Sequence, residues 1–252
     1  MRQLPNPDLL IRPAISREAV STSVLEGTYA ALSEVLDAQY TEHRRASAEL
    51  HEVLNYIDAA THGLNADDDI PLLVKVALGH YQFETLHPFS DGNGRIGRLV
   101  ITLQLIQAGA LSHPILNLSP WLEPRRSEYV DHLRALSMSG DYNPWVAFFA
   151  RAVEAQARAA SATIKALLDV RELFLEHLRT AGAKGVVLEL AGDLIGYPRI
   201  SASRAAKVYG VSYPSANNAI ARLVKLGILR EVTGSTYGRI FACDRVYNII
   251  AG

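Results

Sequence analysis

The segment that most constrains the fold is RIGRLVITLQLIQAGAL (95–111), which is apolar on nearly every side of a helical wheel. A helix that is apolar all round has to be buried, so we expect this one to lie centrally. The preceding segment, PLLVKVALGHYQFETL (71–86), repeats apolar residues at helical spacing, and Pro71 suits a first helical turn. Residues 143–182 also have a helical pattern, which ends at Gly182. The protein is therefore predicted to be mainly α.

The C-terminal part of the chain carries an excess of positive charge. Residues 197–252 contain eight Lys and Arg residues against two acidic ones, a formal charge of +6, whereas the whole chain has a net charge of −1. The other residues therefore carry −7. This asymmetry indicates two domains with different partners, of which the basic one is a candidate for nucleic acid. We place the domains at residues 1–182 and 183–252.

Cysteine usage and hydropathy predict a cytoplasmic protein. Cys243 is the only cysteine, which excludes an internal disulfide framework and is typical of a reducing compartment. The first residues, MRQLPNPDLLIRP, lack the apolar run of a signal peptide, and no segment is long enough to span a bilayer. We therefore expect no membrane partner.

Between the two apolar helices lies the stretch HPFSDGNGRIGR (87–98). Its proline and its glycines predict a loop over the first eight residues. Gly92, Asn93 and Gly94 can turn several backbone N–H groups towards one point. The next helix begins directly afterwards, and its positive dipole end is directed at the same point. The stretch is therefore predicted to bind an anion.

The charged and titratable residues of the stretch suit a nucleotide. Arg95 and Arg98 oppose the helix dipole unless an anion lies between them, and a polyphosphate meets that requirement. A carboxylate at Asp91 beside phosphates is explained by Mg²⁺, which proteins usually hold with one or two carboxylates plus substrate phosphates. A neutral imidazole at His87 can take a proton from an incoming hydroxyl. The residues predict transfer of a phosphorus group from a magnesium nucleotide to an alcohol.

The stretch matches the motif of the Fic family, HPFx[D/E]GNGRxxR, at every defined position, and the flanks HYQFETLHPF and LSPWLEPRRSEYVDHL also resemble Fic proteins. The resemblance implies a protein adenylyltransferase, which transfers AMP from ATP to a Ser, Thr or Tyr hydroxyl of a target protein. It implies that His87 is the base and that Asp91 holds Mg²⁺. It implies nucleotide binding by Gly92, Asn93, Gly94, Arg95, Gly97, Arg98 and Tyr129. Another nucleotide donor, self-modification and a homodimer remain open.

Near the N-terminus, STSVLEGTYA (21–30) resembles the family's inhibitory motif, [S/T]xxxE[G/N]. The matching residues include Thr22, Glu26 and Gly27. The resemblance implies that Glu26 pairs with Arg98 and prevents productive seating of the γ-phosphate. In some relatives the same glutamate supports removal of AMP, so the net direction of reaction remains open. The alternative interpretation is an ordinary solvated glutamate before the end of a helix.

One part of the family pattern is missing. Fic proteins of this layout usually carry a β-hairpin flap, which pairs with the target's backbone, between the segments that correspond here to EVLNYIDAATHGL and PLLVKVALGHYQ. In this chain only NADDDI (65–70) separates the two segments. The basis for docking of the target protein therefore remains open.

The basic segment SASRAAKVYGVSYPSANNAIARLVKLGIL (201–229) predicts a helix-turn-helix. Ser201 can cap a first helix that ends at Gly210, and Pro214 lies where a second helix would start. The second helix should face inward with Ala216, Ile220, Leu223 and Val224, and outward with Ser215, Asn217, Asn218, Arg222 and Lys225.

Residues 229–243 alternate like a β-hairpin with a Gly-Ser turn, and this hairpin would be the wing of a winged helix-turn-helix domain, with Arg230 and Arg239 near a DNA backbone. Such a domain is appended to many Fic proteins. Asn and Arg side chains on the outward face can read bases or hold phosphates. Winged helices also serve in dimerisation and protein docking.

Two functions therefore compete. The first is an autoinhibited adenylyltransferase that uses ATP and Mg²⁺. The second is a DNA-binding transcriptional regulator whose Fic core binds nucleotide without efficient transfer. The presence of both His87 and Asp91 favours the enzyme, because a sensor needs only the phosphate-binding residues.

Overall fold

A computed structural model describes residues 69–87, 92–234 and 238–251. These residues are mostly helical, with one small sheet, so the prediction of a mainly α protein is confirmed. They fall into two compact units, one up to Ala160 and one from Ser161 onwards. The predicted domain boundary at residue 182 stays a prediction. None of the helices in the described ranges combines the length and hydropathy that crossing a membrane requires.

The first unit contains the helices on either side of the motif. Its elements are α1 (Leu72–Leu86), α2 (Asn93–Gln107), α3 (Ser119–Leu122), a 3₁₀ turn (Glu123–Arg125), α4 (Arg126–Ser139) and the first part of α5 (Asn143–Thr180). Helix α1 matches its predicted bounds closely. Helix α2 begins at Asn93, two residues before its predicted start, and ends at Gln107. Residues 108–111, which were predicted to be helical, lie outside it.

Helix α2 is largely buried, as its sequence predicts. Val100, Ile101 and Leu105 are buried, whereas Leu99 is 39% exposed. A hydrogen bond joins the start of α5 to α1: the indole Nε1 of Trp145 donates to the carbonyl oxygen of Ala77 at 2.8 Å. The end of α1 and the beginning of α2 are therefore set by a packed core.

The second unit combines helices with a three-stranded sheet. Its elements are the rest of α5, α6 (Val186–Asp193), β1 (Arg199–Ser201), α7 (Ala202–Tyr209), α8 (Tyr213–Lys225), β2 (Arg230–Glu231), β3 (Ile240–Ala242) and α9 (Asp244–Ala251). Strand β3 lies in the middle and is antiparallel to both neighbours, with Ile200 opposite Phe241 and Arg230 opposite Ala242. The predicted β-hairpin is therefore present as β2 and β3. Its tip, residues 235–237, lies outside the described residues.

The two helices of the predicted helix-turn-helix have the expected caps. The hydroxyl of Ser201 accepts from the backbone N–H of Arg204 at 3.3 Å, and Gly210 ends α7 in a left-handed conformation with φ 62°. Ser212 caps α8 in the same way as Ser201 caps α7, and Pro214 lies in the first turn of α8. The sequence identified these boundaries because serine caps and glycine stops are local signals.

The buried face of α8 differs from the prediction at one position. Val224 was expected to face inward, but it is 37% exposed, and Ala219 is buried instead. Val224 directly follows the buried Leu223, and the 100° step between helical neighbours turns it out of the apolar stripe.

Cys243 is fully buried between β3 and α9. Its backbone N–H donates to the carbonyl oxygen of Pro198 at 2.7 Å. Burial raises the pKa of the thiol to about 11. The thiol is therefore protonated and inert at neutral pH, as expected of a small core side chain.

Candidate active site

His87 ends α1 in a strained, left-handed conformation with φ 46° and ψ 56°. Among the described residues it is the only non-glycine with a positive φ. Its backbone N–H donates to the carbonyl oxygen of Phe83 at 3.0 Å. Its ring Nδ1 lies 3.1 Å from the carbonyl oxygen of Glu84. A carbonyl can only accept, so Nδ1 is the donor in this bond, and the neutral tautomer with this bond has its lone pair on Nε2 of the exposed ring.

The turn into α2 is made by Gly92. It is the residue before the helix and has φ 81°, which a side chain would strain. Asn93 and Gly94 were expected to form a loop with it, but both belong to the first turn of α2, and Gly94 has no positive φ. As the N-cap residue, Gly92 has no side chain with which to cap the helix. The N-terminal dipole end of α2 is suited to a bound anion.

Arg95 folds back over the start of its own helix. Its Nη2 lies 3.2 Å from the point that a Cβ on Gly92 would occupy, and the side chain is exposed. A cation at a helix N-terminus is mildly unfavourable unless an anion is present. The position of Arg95 therefore fits the predicted phosphate role.

Arg98 and Gly97 lie on the inner side of α2. Arg98 is 6% exposed. A Cβ on Gly97 would lie 2.6 Å from Oε1 of Glu84 and 3.0 Å from Cδ1 of Phe83. Gly97 was predicted to bind nucleotide on the basis of the motif, and in the structure it permits close approach of α1 and α2.

His80, which was not predicted to be functional, lies close to Gly97. His80 is 1% exposed, and its Nε2 is 2.9 Å from the hydroxyl of Tyr129. Burial, followed by the positive charge of Arg98, lowers the pKa of His80 to about 3. The ring is therefore neutral at physiological pH, and the 3.9 Å contact of Nε2 with Oε1 of Glu84 is not an ion pair there. Tyr129 was predicted to contact nucleotide, and in the structure its hydroxyl is hydrogen-bonded to the ring of His80.

Helical spacing could have identified two of these residues. In HYQFETLH, His80 and Glu84 are one turn apart, and Glu84 is three residues before His87. The contact with Tyr129 joins residues 49 positions apart, and no local pattern predicts it.

Four predicted functional residues lie outside the described ranges. They are Thr22, Glu26, Gly27 and Asp91, so the pairing of Glu26 with Arg98 stays a prediction. Within the described ranges no group of three or more His, Cys, Asp or Glu side chains could hold a metal ion. A Mg²⁺ ion bound largely by substrate phosphates needs only one or two carboxylates, which is the role predicted for Asp91.

Several residues predicted to contact nucleic acid have partners within the second unit. Arg222 donates to the carbonyl oxygen of Ala181. Arg239 donates to Glu231 at 3.5 Å and to Oδ1 of Asn217 at 3.4 Å. In contrast, the side chains of α8 that are exposed include Ser215, Asn218 and Lys225.

Comparison with known proteins identifies similar sequences. The family model described as Fic/DOC family N-terminal matches residues 1–65. "Protein adenylyltransferase Fic" of Drosophila grimshawi is 32% identical over 137 residues, which are 53% of this chain and 26% of that protein. The protein of the same name from Aedes aegypti is 37% identical over 78 residues, which are 31% of this chain and 14% of that protein. This chain thus spans about a quarter or less of these curated relatives.

A crystal structure of a Fic family protein from Desulfovibrio desulfuricans G20 aligns with 94% of this chain and 85% of its own, at 17% identity and a TM-score of 0.40. That superposition is too loose to carry an argument. The likeness to Fic proteins depends instead on the match over residues 1–65 and on the sequence relatives, which agree with the complete motif at 87–98. Together these matches support a Fic family protein.

Proposed function

We propose that the chain is a protein adenylyltransferase that transfers AMP from ATP to a hydroxyl side chain of a target protein. The names of its relatives support this activity. The observation that carries the proposal is the hydrogen bond from Nδ1 of His87 to the carbonyl of Glu84, because it leaves Nε2 as a proton acceptor. His87 ends α1, and α2 begins at Asn93 with the features of an anion site.

In the proposed reaction the hydroxyl oxygen of the target attacks the α-phosphorus of ATP. A new P–O bond forms, the bond between the α-phosphorus and the bridging oxygen breaks, and pyrophosphate leaves with the bond electrons. Nε2 of His87 accepts the hydroxyl proton as attack proceeds. His87 has a left-handed backbone, and local strain of this type is common at functional sites.

The residues fit a triphosphate. The dipole end of α2, the turn at Gly92 and the cation of Arg95 combine at one helix start, and we assign Arg98 to the terminal phosphates. Asp91 would hold Mg²⁺, which when bound neutralises phosphate charge and orients the phosphates.

Regulation by Glu26 is part of the proposal. The match of residues 1–65 to the Fic/DOC N-terminal model supports a family-like segment around it. A carboxylate that pairs with Arg98 would compete with the γ-phosphate for the same guanidinium. Removal of AMP from a modified target would be a hydrolysis, in which a water oxygen forms the new P–O bond, the bond to the target oxygen breaks, and that oxygen takes up a proton as it leaves.

The experiment that tests the activity uses ATP labelled in the α- or γ-phosphate, incubated with the protein and a cell lysate. The labelling that depends on the added protein should come from α-labelled ATP only, because pyrophosphate carries the γ-label away. His87→Ala should abolish transfer and leave ATP affinity within about threefold, because a base acts in the transition state. His113→Ala, which removes another imidazole of the first unit, is the matched control. Equal loss of ATP affinity and activity in His87→Ala would contradict the role of His87 as base.

DNA binding by the second unit is the second candidate function. The observation in its favour is the +6 charge of residues 197–252 together with the exposed side chains of α8. The helices α7 and α8 and the hairpin β2–β3 are arranged in the order of a winged helix-turn-helix domain. Asn218 and Lys225 would then face the DNA, and the internal bonds of Arg239 would fix the hairpin on α8.

A further inference from the structure

The second unit contains a cavity of about 170 Å³ that the proposed function does not use. Its walls are the C-terminal part of α5, the turn between α8 and β2, part of β3 and the start of α9. The lining residues that are buried are all apolar, namely Phe174, Ile228, Leu229 and Ala242. A cavity of about 150 Å³ lined by leucine, isoleucine and phenylalanine accommodates benzene. The cavity in the second unit therefore has room for one six-membered ring.

The exposed residues that line the cavity include charged ones. Arg230 and Asp244 form a bidentate ion pair, in which Nε donates to Oδ2 at 2.7 Å and Nη2 donates to Oδ1 at 3.0 Å. Arg245, the next residue, adds a second guanidinium, and His177 on α5 adds an imidazole. Among the described residues that line the cavity, two are arginines and one is an aspartate, which leaves an excess of one positive charge.

This combination of residues favours an anion with an apolar body. Both oxygens of Asp244 accept from Arg230, so a cationic ligand would compete with Arg230 for that carboxylate and would be repelled by Arg245. A carboxylate ligand suits a guanidinium, because the two groups can form two parallel N–H···O bonds. Small-molecule sites commonly combine an apolar lining with a few polar groups that fix orientation, and the buried residues here supply that lining.

We propose that this cavity binds a small organic carboxylate with one ring-sized apolar group, whose ring contacts the buried residues and whose carboxylate binds Arg245. The inference goes beyond the proposed function, because the lining residues all belong to the second unit and the site requires no nucleotide. Helix α8 ends at Lys225, directly before the lining residue Leu226. A bound ligand would therefore contact the turn that joins α8 to the hairpin.

The test uses benzoate as the probe, because it joins one ring to one carboxylate. Benzamide has nearly the same shape without the charge, and acetate has the charge without the ring. Each is titrated into the isotope-labelled chain, and the NMR shifts of backbone amides give the dissociation constant and the residues affected. Benzoate should bind with a dissociation constant on the order of 1 mM, as expected of so small a ligand, and benzamide and acetate should bind about tenfold more weakly. The shifts should concentrate at residues 226–230 and 242–245.

Two variants change the charge of the cavity in opposite directions. Arg245→Gln removes a positive charge and should weaken benzoate binding by about fivefold or more, while benzamide binding stays within about twofold. Asp244→Asn removes the negative charge and should strengthen benzoate binding by about threefold, and damage to the fold would not produce such a gain. Arg179→Gln, which removes an exposed arginine of α5 that does not line the cavity, is the matched control.

Four results would overturn the inference. Equal affinities for benzoate and benzamide would show that the site does not prefer an anion. Equal affinities for benzoate and acetate would show that the apolar residues do not hold a ring. Equal effects of Arg245→Gln and Arg179→Gln would contradict the placement of the carboxylate at Arg245. Absence of saturable benzoate binding, or shifts only at residues that do not line the cavity, would show that the cavity is not a ligand site.

Discussion

Acid should weaken the first unit through the buried ring of His80. An unfolded chain protonates histidine near pH 6.5, whereas in the folded unit burial lowers the pKa of His80 to about 3. Between these two values the unfolded chain binds more protons than the folded one, so lowering the pH favours unfolding. The stabilising contribution is fully present above pH 6.5 and is lost progressively as the pH falls towards 3.

The linkage relation gives the size of this effect. The slope is at most about 1.4 kcal/mol for each pH unit, and it reaches that value only below the pKa of the unfolded histidine. Between pH 7 and pH 5 the free energy of unfolding should therefore fall by about 2 kcal/mol because of His80 alone. This loss is a substantial part of the 5–15 kcal/mol that is typical of small domains.

Urea unfolding followed by tryptophan fluorescence measures the effect. The chain has two tryptophans, Trp121 and Trp145, both in the first unit, and the ring of Trp145 is 6.1 Å from that of His80. His80→Gln can keep a hydrogen bond to Tyr129 but cannot titrate. Its pH dependence should be smaller than that of wild type by about 2 kcal/mol between pH 7 and pH 5, whatever its stability at pH 7. Identical pH dependence in the two proteins would refute the reasoning.

Three further predictions concern inhibition by Glu26, the close contact of α1 with α2 at Gly97, and DNA binding by the second unit. Glu26→Gly should raise label transfer by roughly ten- to a hundredfold, because about 1.5–3 kcal/mol of Arg–carboxylate pairing is released; equal rates would mean that Glu26 does not inhibit transfer. Gly97→Ala should lower the free energy of unfolding by about 1–3 kcal/mol, because its Cβ would lie 2.6 Å from Oε1 of Glu84. The chain should bind duplex DNA with an affinity that falls as salt rises, and Lys225→Ala should reduce the slope by about one; no binding at low salt favours protein docking.

Elements with a local signal were predictable from the sequence. Helix α1 has a helical apolar repeat, and α7 and α8 have serine caps, so their bounds agree with the structure within about two residues. The long helix α5 lacks helix breakers after its first turn and runs to Thr180. Strand β1 was missed because its three residues are too few to show alternation, and it exists only through its pairing with β3.

The candidate site was predictable in its residue types and less so in its internal contacts. The motif identifies His87 as a base, but the hydrogen bond that fixes its tautomer depends on the left-handed end of α1. Arginine side chains are usually exposed to solvent, so the sequence alone predicts an exposed Arg98. Its burial at 6% exposure results from the packing of α1 against α2. Contacts such as His80 with Tyr129 are tertiary, and a single sequence contains no pattern that reports them.

The burial of Cys243 has an experimental consequence. It is the only cysteine of the chain and has no accessible surface, so a thiol reagent can modify it only when its surroundings open. The rate of alkylation in native buffer is then a measure of opening in the second unit, while fluorescence of the two tryptophans reports on the first. Labelling with and without ATP would compare the local stability of the second unit in the two states, without introducing a mutation or a fluorophore.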